Sequence, residues 1–198
     1  MNLNQNFVNG AKLTLLWGVA SPVSRTANNN MIKESQETYL STLPDGKMIE
    51  VKPFDPRARE VADEILAQLR EALPDAELHF LGAVALGISG QNDIDITILS
   101  APTEFDEYRS TIEKLYGAPV RVTKSVKWQF QKEGFNVELY MTDKDAESAK
   151  DQRRVFEILS ENKELRDAYE QVKLPYGPID FKEYMRKKYA FFNEILGD

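Results

Sequence analysis

Apolar and polar positions alternate through "KMIEVKPF", residues 47–54, as they do on a short strand with one face exposed. The pattern changes at Asp55-Pro56. From there Ala58, Val61, Ala62, Ile65, Leu69 and Leu73 recur every three or four residues, which predicts one amphipathic helix ending before Pro74. Asp55 suits the cap of that helix, and Pro56 suits its first position, where no amide donor is missed. "AELHFLG", residues 76–82, is a short strand candidate. "AVALGISGQN", 83–92, is too small and glycine-rich for a long element, and "DIDITILS", 93–100, is a strand by its β-branched content.

Pro102 opens a second helix through "PTEFDEYRSTIEKLYG", with Phe105, Tyr108, Ile112 and Leu115 on one face. Two or three strands follow in "PVRVTKSVKWQFQKEGFNVELYMT", where Glu133-Gly134 joins "SVKWQF" to "FNVELYM" as a hairpin. The remainder is helical. "DAESAKDQRRVFEILSEN" and "KELRDAYEQVK" divide at Asn162, and Pro175 to Pro178 breaks the chain before "IDFKEYMRKKYAFFNEIL". There Phe181, Met185, Lys188, Phe192 and Ile195 keep helical spacing, so the aromatic rings of this last helix are expected to pack on the sheet or the preceding helices. The order of elements predicts an α+β domain with a small mixed sheet over 46–198. Residues 1–45 are expected to be a disordered or spurious leader.

Composition narrows the chemistry. The chain has 198 residues, no cysteine and a single histidine, His79. Disulfide frameworks, thiolate metal sites and cysteine nucleophiles are excluded, and His-based metal or Ser-His-Asp chemistry is disfavoured. Carboxylate, amine and hydroxyl chemistry remains. The net charge is −7, carried by the first 119 residues while 120–198 balance to zero, so nucleic acid is a poor candidate partner. No apolar run reaches the roughly 20 residues of a membrane helix, and "AKLTLLWGVASPVS" makes a poor signal peptide. A cytoplasmic setting is expected.

Two acids interrupt the apolar strand. Asp93 and Asp95, at i and i+2, share a face with α-carbons roughly 6 to 7 Å apart, while Ile94, Ile96 and Ile98 face a core. Like-charged carboxylates at that separation disfavour each other unless a cation sits between them. Oxygen-only ligands suit Mg2+ or Mn2+. Glu138, between Val137 and Leu139, is a third acid in matching context. On a neighbouring strand about 4.8 Å away it would join the pair, and three such acids could hold two metal ions for a phosphoryl displacement. Gly82, after a strand and before a helical turn, permits close backbone approach and an anion cradle of free amides.

These residues resemble the nucleotidyltransferase superfamily, whose pattern is an apolar residue, Gly, then Gly or Ser, a spacer, Asp-x-Asp or Asp-x-Glu, and a later strand with a third acid. "LGA", nine residues, "DIDI" and "VEL" fit it, with Ala83 where Gly or Ser is usual. Loss of such a hydroxyl's bond to phosphate would cost roughly 1.5–3 kcal/mol, while the backbone amide remains. Within that superfamily, residues 47–198 resemble the GrpB family: "VKPFDPRARE", the loop "GAVALGISG", the Ile-Asp-Ile strand and "FEILSENKELRDAYEQVKLPYG" before a final helix. Common members have Lys-Pro and a single aspartate where this chain has Gln91 to Asp95.

The resemblance implies a nucleotidyltransferase-like fold binding a nucleoside triphosphate such as ATP through magnesium. Asp93, Asp95 and Glu138 would be both metal ligands and catalytic groups, and Asp95 or Glu138 would deprotonate or position an acceptor hydroxyl. Gly82 and Ala83 would cradle phosphate, and Lys127 is either a phosphate partner or an exposed strand lysine. The product would be an acceptor, of unread identity, carrying a nucleoside monophosphate. The alternative is an inactive nucleotide- or partner-binding module of the same fold. Trp128 is expected to be a core residue rather than a base-stacking ring, His79 to be structural, and Arg153-Arg154 and Arg186-Lys187-Lys188 to be solvated helix faces, with room for one arginine to turn toward the cleft.

Overall fold

The computed structural model describes residues 32–197. In chain order the elements are α1 (Glu34–Thr42), β1 (Met48–Val51), α2 (Arg57–Ala72), β2 (Glu77–Leu81), α3 (Gly82–Leu86), β3 (Ile94–Ser100), a 3-10 turn at Pro102–Glu104, α4 (Phe105–Tyr116), β4 (Arg121–Val122), β5 (Ser125–Lys132), β6 (Phe135–Asp143), α5 (Glu147–Glu161), α6 (Lys163–Val172), β7 (Gly177–Asp180) and α7 (Phe181–Leu196). Local signals account for most boundaries. Asp55 accepts the Arg57 amide at 3.0 Å and so caps α2. Glu133 and Gly134 both have positive φ, at 52° and 85°, and close the β5–β6 hairpin with Lys132 opposite Phe135. Asn162 accepts the Leu165 amide and starts α6 where α5 has stopped.

Five strands form a mixed sheet in the order β2-β3-β6-β5-β4. The β3–β6 pair is parallel and the others are antiparallel. Alternation along each strand sends one set of side chains to a dry face. Ile94, Ile96, Ile98, Val126, Trp128, Val137, Leu139 and Met141 meet the apolar stripe of α2 and Ile112 of α4 in one buried cluster. Trp128 belongs to that face and donates its indole N–H to the Gly117 carbonyl at 3.0 Å, a core role. The opposite face of the sheet is polar, and α5, α6 and α7 pack over it.

Two findings depart from expectation. The stretch read as leader forms α1 over Glu34–Thr42, with Leu40 only 1% exposed against Ile49, Tyr184 and Met185. Its Gln36 exchanges amide hydrogen bonds with Asn193 of α7, and Glu37 takes Arg186. The earlier part of the leader, up to residue 31, lies outside the described residues. The second finding is β7, which pairs antiparallel with β1, Met48 opposite Asp180, as a separate two-stranded sheet. Pro178 and Gly177 are poor strand formers. Only a partner from the other end of the described fold makes these four residues a strand.

Candidate functional site

The site grows from the polar face of the central strands. Pairing sets Asp95 directly between Leu81 on β2 and Glu138 on β6, so two of the three acids stand side by side through the parallel register. Asp93 precedes β3 by one residue and faces the same cleft, whose volume is about 550 Å³. Gly82, Ala83, Asp93, Asp95 and Glu138 all line it, under walls from α5, Tyr169 of α6, and Phe181, Lys188 and Phe192 of α7.

Gly82 is required twice over. Its φ is +79°, and a Cβ there would stand 2.1 Å from Asp95 Oδ2. Only a glycine lets the start of α3 lie against this carboxylate. Gly90 is tight in turn, since a Cβ on it would be 2.8 Å from the Ala83 Cβ. The departure at Ala83 thus sits inside a close packing of two loop turns.

The loop from Gly87 to Asn92 is clamped on both sides. Lys52 and Gly90 exchange backbone hydrogen bonds at 2.7 and 3.0 Å. Asn92, in the left-handed region at φ 60°, accepts the Asp55 amide and donates to the Pro53 carbonyl. On the other side Ser89 donates its amide to Glu170 at 2.8 Å, and its hydroxyl also meets Glu170. The Lys173 ammonium donates to the Ser89 carbonyl at 2.8 Å and lies over the Tyr169 ring. The run "VKPFDP" therefore holds the turn that aims Asp93, besides starting α2.

Electrostatics mark the two aspartates. Burial pushes the Asp95 carboxyl up to about 7, against the pull of Lys188, with Glu138 and Asp93 adding to the rise. Asp93 is raised by burial and then by Glu138, and is opposed by a hydrogen bond from Asn136. Glu138 has a different environment. Lys127 Nζ lies 2.7 Å from it, and Tyr140 donates a hydrogen bond to it at 2.7 Å. Lys127, expected to face a phosphate or solvent, is mostly buried in this ion pair. Among the described residues no three acids or histidines gather closely enough to hold a metal ion together.

Sequence reasoning missed Lys188. It faces the cleft and acts on Asp95, while Arg186 pairs with Glu37 and Lys187 with Glu183. Its helical register with Met185 and Phe192 was the available signal. Arg153 pairs with Glu77, as does His79. Lys173 also escaped notice; it is 1% exposed, and burial, with Lys188 nearby, pushes its ammonium down to about 7.

That lysine yields an expected result. Between pH 7 and its ordinary 10.5 the unfolded chain holds a proton that the folded chain lacks, so the parent gains stability as pH rises through this window. Lys173→Met removes the burden. Urea unfolding should find the variant more stable than the parent by about 1–4 kcal/mol at pH 6, with the gap closing towards pH 10. A gap that does not change with pH would contradict the assignment.

The family and the fold are shared with known proteins. The model of the GrpB family, described as GrpB protein, matches residues 48–198, and the chain belongs to that family. The solved GrpB of Enterococcus faecalis superposes with TM-score 0.55 at 12% identity, covering 74% of this chain and 97% of that one, and shares the fold. Two structures of Cid1 align more loosely. One, with RNA terminal uridylyl transferase activity, gives TM-score 0.44 at 18% identity over 62% of this chain and 40% of its own. The other, a poly(U) polymerase with MgGTP bound, gives 0.37 at 15% over 61% and 45%. No curated protein matches the sequence. Among the described residues no helix is long and apolar enough to cross a membrane.

Proposed function

We propose that this GrpB-family chain binds a nucleoside triphosphate, ATP in the first instance, with Mg2+ or Mn2+ in the cleft, and transfers the nucleoside monophosphate to a hydroxyl of a separate acceptor, breaking the α–β phosphoanhydride bond and releasing pyrophosphate. The observation that carries the reading is Asp95, a desolvated carboxylate beside Asp93, held against the backbone of Gly82 where an anion cradle begins. The donor set fits one divalent ion. Asp93 and Asp95, partly buried and of raised pKa, form no ion pair among the described residues, and their oxygens are the ligands magnesium prefers. When bound, the ion supplies neutralising charge to the phosphate oxygens.

The chain's own groups supply the rest. Lys188 adds a cation on the roof, the Gly82 turn accepts phosphate against its amides, and Asp95 or Glu138 takes the acceptor's proton. A cytoplasmic setting follows from this reading, since nucleotide and magnesium are both present there. The Lys127–Glu138 ion pair favours a second reading, a nucleotide-binding module without transfer, because it occupies the third acid. Calorimetric titration with ATP and magnesium should show binding that Asp95→Asn reduces by at least roughly tenfold. Equal binding by the variant removes the metal reading, and transfer of α-phosphate label to a lysate component that needs Asp93 and Asp95 removes the inactive module.

A further inference from the structure

Beside the cleft, on the same polar face of the sheet, lies a second cavity of about 170 Å³ that shares Tyr140 and Gln152 with it. Its floor is laid by three strands, with Thr97 from β3, Thr142 from β6 and Ser125 from β5, and Arg121 of β4 stands at its rim. Strand register brings them together. Thr97 faces Tyr140 across β3–β6, Ser125 faces Thr142 across β5–β6, and Arg121 faces Lys127 across β4–β5. The first turn of α5 covers the cavity with Ser148.

Four hydroxyls and one guanidinium converge here, and within the described residues none of these five side chains makes a hydrogen bond or an ion pair. Thr97 matters most, since it is only 5% exposed. Its hydroxyl has no protein partner and is not sealed from the cavity, so it is open to a ligand or to solvent. The positive end of the 15-residue helix α5 opens onto the same space, and its N-cap residue, Ala146, has no side-chain oxygen to satisfy the first amides. Of the nearby acids, Asp143 accepts the Asp145 amide at 3.0 Å, and neither is in an ion pair among the described residues. Glu147 holds Lys150 at 3.1 Å and Glu138 holds Lys127. A small cavity with hydroxyl donors, an arginine fork and a helix N-terminus selects a tetrahedral oxyanion.

We infer that this cavity binds a phosphoryl group on the acceptor, so that the acceptor lies across Tyr140 with its reacting hydroxyl towards Asp95 and Glu138. The acceptor assignment rests on the nucleotide-transfer reading. The anion site itself does not. Tyr140 forms the partition between the two cavities, its hydroxyl turned to Glu138. The acceptor class is therefore a phosphorylated small molecule bearing a free hydroxyl.

The test uses the full chain, inorganic phosphate as probe and amide resonances as readout. Saturable shifts at Thr97, Arg121 and Ser148 are expected. Arg121→Gln and Thr97→Val should each weaken phosphate binding about tenfold, and Arg70→Gln, an exposed arginine on α2, should not. Equal weakening by Arg70→Gln, or shifts spread over every basic residue, overturns the site. Thr97→Val nearly conserves side-chain volume, and its amide spectrum reports whether it folds; Arg121→Gln, at an exposed position, tests the site independently. With saturating ATP and magnesium present, phosphate should still bind and still shift Arg121. If ATP displaces phosphate and Arg121→Gln weakens ATP, the cavity takes the nucleotide's own phosphates and the acceptor assignment falls. If ATP does not bind at all, the transfer reading fails while the phosphate response at Arg121 and Thr97 stands.

Discussion

Replacing Gly82 with alanine should cost the fold about 2–4 kcal/mol and abolish nucleotide binding in the same step. The new Cβ would lie 2.1 Å from Asp95 Oδ2 and 3.0 Å from its carboxyl carbon, at a φ of +79° that alanine tolerates poorly. Something must move. If α3 withdraws, the amides that would cradle phosphate leave the carboxylate. If Asp95 swings out, the strand loses its aim at the cleft. Denaturant unfolding and ATP titration on the same sample check both effects. A variant as stable as the parent that still binds ATP would show that this contact does not organise the site. Gly87→Ala is the natural companion. Its φ is +68° but its Cβ meets nothing within 4 Å, so only the backbone part of the cost, about 1 kcal/mol, should appear.

Asp95→Asn is expected to stabilise the protein in metal-free buffer. The carboxyl is ordinarily near 3.8 and is held up to about 7 in the fold, chiefly by burial. Between those values the folded chain keeps a proton that the unfolded chain releases. Stability therefore falls as pH rises through the window, and the burden is complete above pH 7. Asparagine has nearly the same shape and no charge to bury. At pH 8 the variant should exceed the parent by about 1–4 kcal/mol, the lower end applying if water in the cleft screens the carboxylate. Near pH 4 the two should converge. Thermal or denaturant unfolding at pH 4, 6 and 8 measures the gap, and a variant less stable than the parent at pH 8 would contradict the account. A gain in stability with a loss of ligand is the pattern of a group kept for function at the expense of the fold.

The parts of this structure that were legible in the sequence are those governed by local pattern. The i, i+2 spacing placed Asp93 and Asp95 on the polar side of an otherwise apolar strand. The Glu133-Gly134 turn set the hairpin that carries Glu138, and the stripe of α2 was complete from Ala58 to Leu73. What escaped was decided by distant partners. The α1 sequence "ESQETYLST" buries one residue, Leu40, and so shows no stripe. Lys173 ends a polar helix like any solvated lysine, and it is buried because the carbonyl of Ser89 lies against α6. Lys127 alternates like an exposed strand residue, yet the register of β5 on β6 sets it opposite Tyr140, within diagonal reach of Glu138. The α+β class and the GrpB family were both recognisable from motifs. The ion pair inside the acidic set was not, since spacing carries no information on which charge answers which.

The pairing of β1 with β7 also has a consequence in time. The cluster that packs α2 and α4 against the sheet draws all its buried residues from Ala58 to Met141, so it can assemble while later parts are still being made. Met48 must wait for Asp180, a delay on the order of ten seconds at ribosomal rates. During that wait Asp93, Asp95 and Glu138 sit on a bare, water-covered surface. The core cluster is complete in sequence before the cleft is, since the cleft closes only when α7 docks.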